Sequence, residues 1–179
     1  MKTTFLIIVL MLTVVISGIV SAQDTVTANL TPYKKVTGYL NKNKVSLSCA
    51  FIAGFAEGNR EILRHDYEAF KRVFPGANDK FWNPAISWQN KWKNGDPAQG
   101  EKFFGSTSFL VATTDGTHLA GSIRNLAWVG TVTFKIGEKK KWYLYLLDAG
   151  THWLAYSAGF NLTYHGIYKH PVFKAKSAQ

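Results

Sequence analysis

The chain has 179 residues, 46% hydrophobic, 15% aromatic and 18% charged, with 21 Lys and Arg against 11 Asp and Glu. That length suits one compact domain; the apolar share excludes a wholly disordered chain, and the low charge excludes a long solvated helix. A single cysteine excludes a disulfide scaffold and a thiolate-rich zinc module.

At the N-terminus, Lys2 precedes a nearly unbroken apolar run from Phe5 to Val20, and Val20-Ser21-Ala22 offers the small residues of a cleavage site. Residues 1–22 are therefore expected to be a signal peptide, which makes the protein exported: periplasmic, secreted or envelope-associated. An uncleaved N-terminal anchor is the alternative, although this run is slightly short of the about 20 residues a span needs. Cleavage removes only Lys2 from the charge count, leaving 20 positive against 11 negative residues, or +9. Cys49 then stands unpaired, and a buried structural role is its expected one.

Residues 23–44, with Pro32, Gly38 and Asn41-Lys42-Asn43-Lys44, read as a polar, basic lead-in of loose order. A single helical domain is expected over 45–168, followed by a basic tail at 169–179. From Ser46 to Phe74 the pattern is helical: Ile52, Phe55, Ile62, Leu63, Phe70 and Val73 share one side. Glu57, Arg60, Glu61, Arg64, Glu68 and Lys71 share the other. Glu57, Glu61 and His65 have a spacing that can bind metal, but on that charged face they read as side-chain pairing. Pro75-Gly76 ends the helix.

Residues 75–106 form a long polar connection without clear periodicity, carrying Trp82, Trp88 and Trp92. Loops of that length are often functional. A second helix is expected over Gly105–Val129 and a third over Trp142–Tyr164. The stretch 131–147 also permits a short β-hairpin, though a helix–turn–helix fits the continuing apolar run better. The expected fold is mainly α, a small bundle of three principal helices with a long Trp-rich loop. Asn29-Leu-Thr31 and Asn161-Leu-Thr163 match the glycosylation acceptor pattern, a frequent chance match.

Polar residues recur where an apolar face is expected. Asp115, His118, Ser122 and Asn125 form a lengthwise stripe on the second helix, and Tyr145, Asp148, His152, Tyr156 and Thr163 form another on the third. Antiparallel packing could bring these stripes together, collecting Asp115, His118, Asp148 and His152. Asn59 and Asp66 lie on the apolar side of the first helix, and a buried carboxylate there needs a partner such as His118, His152 or Arg124. Such a cluster could hold zinc, iron or manganese through His118, His152, Asp115 and Asp148. It could equally place a histidine as general base in a hydrolase, assisted by Asp66. A hydrogen-bonded structural network is the third reading.

The positive charge favours an anionic partner. Lys91-Trp92-Lys93 and Lys139-Lys140-Lys141-Trp142 set lysines beside aromatics, so Trp82, Trp88, Trp92, Lys91 and Lys93 are the candidate binding residues. An anionic membrane surface or an envelope glycan fits them; export argues against nucleic acid. Segments 108–126 and 142–160 are too polar to span a bilayer without a protein partner. Three functional expectations result. The first is a non-catalytic envelope-associated protein contacting anionic lipid or glycan. The second is a hydrolase or metal-dependent enzyme, and the third a small integral membrane protein with a polar core.

Overall fold

The computed structural model describes residues 32–169. The signal segment 1–22, the first part of the lead-in and tail residues 170–179 lie outside the described residues. The chain divides into two compact units, Met1–Lys44 and Val45–Gln179.

All regular structure among the described residues is helical, apart from an isolated bridge between Trp92 and Glu101. Helix α1 spans Pro32–His65, α2 Tyr67–Val73, α3 Asp79–Trp82 and α4 Pro84–Ser87. Short 3₁₀ turns follow up to Thr113, then α5 at Gly116–Thr133 and α6 at Trp142–Asn161, which runs into a π turn at Leu162–Tyr168. The mainly α bundle expected from the sequence is the observed class. The hairpin alternative at 131–147 is not: α5 runs to Thr133, a turn containing Gly137 at φ 84° reverses the chain, and α6 begins at Trp142. Lead-in residues 32–44 are helical rather than loose, with Pro32 at the first position, where its missing N–H costs nothing.

Two boundaries differ from the periodicity for one physical reason. Asp66 leaves helical geometry (φ −153°, ψ 64°) and its carboxylate caps α2 by accepting from the Ala69 N–H at 3.1 Å. Asp115 is extended (φ −159°, ψ 160°) and caps α5 through the His118 N–H at 2.9 Å. Each carboxylate satisfies an orphan donor of the next helix, which fixes where that helix starts. The second helix therefore begins at Gly116, not Gly105, and the first is broken at Asp66.

Within Val45–Gln179, packing follows two opposite rules. Ile62, Leu63, Ala69, Phe70 and Tyr168 are buried together, with Trp82 packed against them at one end of the bundle. Over the rest of α1, and along α5 and α6, the buried positions are instead small or polar: Ser46, Ala50, Ala53, Ala120, Thr131 and His152, with Thr163 in the π turn that follows α6. Gly54 and Gly159 set this geometry. A Cβ on Gly54 would lie 1.9 Å from the Tyr156 carbonyl oxygen, and one on Gly159 would lie 2.1 Å from that of Phe51. The α1 and α6 backbones thus touch, and Gly58 fits against Thr163 one turn further on. Gly54 and Gly58 form the small-xxx-small spacing that permits such close helix crossings.

Candidate functional site

The four residues expected to converge lie in two separate places. Asp115 starts α5, 2% exposed, and its second carboxylate oxygen contacts His118 Nδ1 at 2.6 Å and accepts from the Thr114 hydroxyl at 3.1 Å. Asp148 and His152 lie beside Thr131 and Lys135, at the far end of α5. Sixteen residues of helix separate Asp115 from Thr131, about 24 Å at 1.5 Å per residue. Antiparallel packing causes this separation, because it sets the start of one helix against the end of the other. The stripes therefore do not collect into one cluster. Among the described residues, no group of three or more His, Cys, Asp or Glu is placed to hold a metal ion.

At the turn end, Asp148 pairs with Lys135 at 3.0 Å and with Lys140. Glu138 joins both lysines, at 3.2 Å to Lys135 and 2.8 Å to Lys140. Hydrogen bonds from Lys140 and then Lys135 pull the Glu138 carboxyl down to about 2. His152, 6% exposed, donates through Nδ1 to the Asp148 carbonyl at 2.7 Å, and its Nε2 is 2.9 Å from Ser46 Oγ. A cavity of about 200 Å³ borders these groups. Ser46 is a residue the sequence pattern did not single out, since it lies more than a hundred positions from His152.

Asp66 is half-buried, not sealed in the core. Its partner is Lys169, whose ammonium holds the Asp66 carboxyl below its ordinary range. None of His118, His152 and Arg124 is that partner; Arg124 pairs with Glu57 across α1 and α5 at 2.9 Å. Asn59 accepts from the Tyr168 hydroxyl at 2.5 Å. His65 pairs with Glu61 at 3.2 Å and Arg60 with Glu57 at 3.0 Å, so the charged face of α1 forms ion pairs. The Asn161 acceptor site is occupied locally: Asn161 donates to the Ser157 carbonyl, and Thr163 is buried and donates to that of Gly159.

The loop tryptophans have different surroundings. Trp82 is a packing residue, 5.3 Å from the Phe70 ring and directly over Gly116, where any Cβ would meet its ring at 2.3 Å. Trp88 is exposed. Trp92 is half-buried, with the Lys91 ammonium 5.6 Å from its ring centre, and Lys93 is exposed beside it. Further along, Gly105 at φ 80° allows Phe109 to fold back and Phe104 to meet it edge-on at 5.5 Å. Both phenylalanines are exposed, as is Lys102.

Much of the exposed surface of α5 and α6 is apolar. Ile123, Leu126, Val129 and Val132 run along the outside of α5, and Leu146, Leu147, Trp153 and Leu154 along that of α6, with Leu162 just beyond its end. Leu126 is 71% exposed and Trp153 64%. Isolated exposed apolar residues are ordinary, but such rows on neighbouring helices mark an interaction face. The sequence readings counted the polar stripes as intrusions on an apolar face; the fold buries Asp115, His152 and Thr163 of those stripes, leaves Asn125 and Tyr145 exposed, and puts the large apolar residues of α5 and α6 on the outside.

No family model, curated protein or solved structure matches the chain. The fold and these features define a mainly α-helical bundle with ion-paired polar contacts between its helices and an apolar exterior.

Proposed function

We propose that the protein resides in an anionic membrane, with the outer faces of α5 and α6 against lipid and its basic, aromatic ends at the headgroups. The observation that carries this is the inverted polarity of the helices: small and hydrogen-bonded residues inside, large apolar ones outside. In water that arrangement leaves much apolar surface unburied, whereas lipid solvates it and favours close contacts between small residues. No helix among the described residues is long and apolar enough to cross a membrane. The polar residues that lower the hydropathy of α5 and α6 include Thr131 and His152, which the fold buries. Pairing makes such groups tolerable in an apolar medium.

The turn supports the same reading. Lys139 and Lys141 are exposed beside Trp142 and Tyr143, the combination favoured at a membrane interface. Each lysine near an anionic surface contributes about 1 kcal/mol. The single Asp–His cluster on which the enzyme reading drew is not assembled, since its residues are split between the two ends of α5.

Flotation of the full chain with vesicles of phosphatidylglycerol or of phosphatidylcholine, followed by carbonate extraction, tests the proposal. Recovery in the floating, carbonate-resistant fraction, greater with phosphatidylglycerol, is expected. Protein that stays at the bottom of both gradients while sedimenting with isolated envelope glycan would replace lipid by glycan as the partner.

A further inference from the structure

We infer that the cleft roofed by α2 and α3 holds one acyl chain of a phospholipid taken from the surrounding bilayer. The inference rests on the membrane reading above and adds a specific lipid site to it. The cleft has a volume of about 640 Å³, inside the range of about 300–1,000 Å³ typical of ligand pockets. Ile52 and Phe55 of α1 form one wall, Leu119 and Ile123 of α5 the other, and Phe74 and Trp82 the roof.

The chemistry of the walls selects the occupant. No charged side chain lines the cleft, and its one amide, Asn59, is already engaged. Asn59 Nδ2 donates to the Phe55 carbonyl at 2.9 Å, and its oxygen accepts from Tyr168 at 2.5 Å. An extended peptide would bring backbone N–H and C=O groups that find no partners there. A hydrocarbon chain brings none. The mouth is also placed for lipid: Ile52, Phe55, Phe74 and Ile123 are exposed, and Ile123 begins the outer apolar row that continues through Leu126 and Val129. A chain can therefore enter sideways from the bilayer that covers α5.

The roof helices also carry charged side chains, none of which lines the cleft. Helices α2 and α3 carry Lys71, Arg72 and Lys80. Lys71 is held by Asp79 at 2.6 Å and by the Ala77 carbonyl at 2.7 Å. Lys80 is exposed, and Arg72 Nε is buried with no hydrogen-bond partner.

The test reconstitutes the full chain in vesicles with phosphatidylglycerol bearing a photoreactive diazirine near the end of one acyl chain. Adducts are mapped by mass spectrometry after irradiation. Adducts on Phe74, Ala77 or Leu119 are expected, together with adducts on the outer residues Leu126 and Leu146 that report general lipid contact. Filling the cleft with Ala120→Phe is expected to lower the cleft adducts about tenfold, a loss of about 1.4 kcal/mol, and to leave the outer adducts unchanged. Val73→Trp serves the same purpose if Ala120→Phe does not fold. Outer adducts without cleft adducts, or cleft adducts that survive both filling variants, overturn the lipid site while leaving membrane residence intact. Failure of the protein to associate with vesicles overturns both.

Discussion

The two ends of this bundle bury opposite kinds of residue. Around Phe70, the rings of Tyr67, Phe74, Trp82 and Tyr168 lie within 5.2–6.0 Å and the large apolar groups face inward, as in any protein folded by water. Between α1, α5 and α6 the inward groups are Ala, Gly, Ser, Thr and His, and the leucines and tryptophans face out. The first region gains stability by removing hydrocarbon from water. The second cannot, because the hydrocarbon is on its outside; it gains from close backbone contact and from satisfied polar pairs. One chain thus carries a region with its large apolar groups inside and a region with them outside, the second being the one proposed to face lipid.

The largest effect that could break this comparison is expected at the helix crossing. Gly159→Leu would force α1 and α6 apart, since even a Cβ meets the Phe51 carbonyl oxygen at 2.1 Å. Loss of the cooperative thermal transition in detergent is the expected outcome, and a variant with unchanged Tm would show that the crossing carries little stability. At the other end Phe70→Ala is expected to cost about 3–5 kcal/mol, the range for an aromatic removed from a close-packed core. Chemical denaturation measures it.

Lysines on the outer face separate the regions more sharply. Leu126→Lys with Val129→Lys is expected to leave the Phe70 region folded but to weaken vesicle association, by up to about 2.5–3.5 kcal/mol for each charge carried to mid-bilayer. A double variant that floats as well as the parent chain would place the lipid contact elsewhere. Capping gives a smaller effect: Asp115→Ala removes the acceptor of the His118 N–H, with an expected cost of about 0.5–2 kcal/mol. Amide exchange in the first turn of α5 reads it directly.

Acid acts on the ion pairs at both ends. Lys169 depresses the Asp66 carboxyl, Lys140 and Lys135 depress that of Glu138 to about 2, and Lys71 depresses that of Asp79. Carboxyls with lowered folded-state values contribute stability that is fully present above their unfolded values, about 4. That stability is lost as pH falls through the folded values. A Tm that declines between about pH 4.5 and 2 is therefore expected, and Glu138→Gln should flatten part of the decline.

Much of the helical content could be read from local pattern, because helices are short-range objects. The apolar spacing of Ile62, Leu63, Phe70 and Val73 located the first helix, and Gly137 with its charged neighbours located the reversal. The breaks at Asp66 and Asp115 were harder, since a capping carboxylate and a mid-helix carboxylate look alike until the backbone is known. The site was less legible. Asp115 with His118 is a local pair that spacing could suggest, whereas Ser46 with His152 and Asp66 with Lys169 join residues from opposite ends of the chain. The Gly54-Phe-Ala-Glu-Gly58 spacing was the available signal for the α1–α6 contact.

By itself, the sequence determined the mainly α class, the basic charge, the two-sided pattern of the first helix and the polar stripes on the other two, all properties of composition and neighbouring residues. Only the tertiary structure decided which stripe faces inward. That choice depends on register, and register is set where Gly54 and Gly159 let two backbones touch. Once that contact forms, Ser46 meets His152, Glu57 meets Arg124, and the leucines and tryptophans of α5 and α6 are left on the outside.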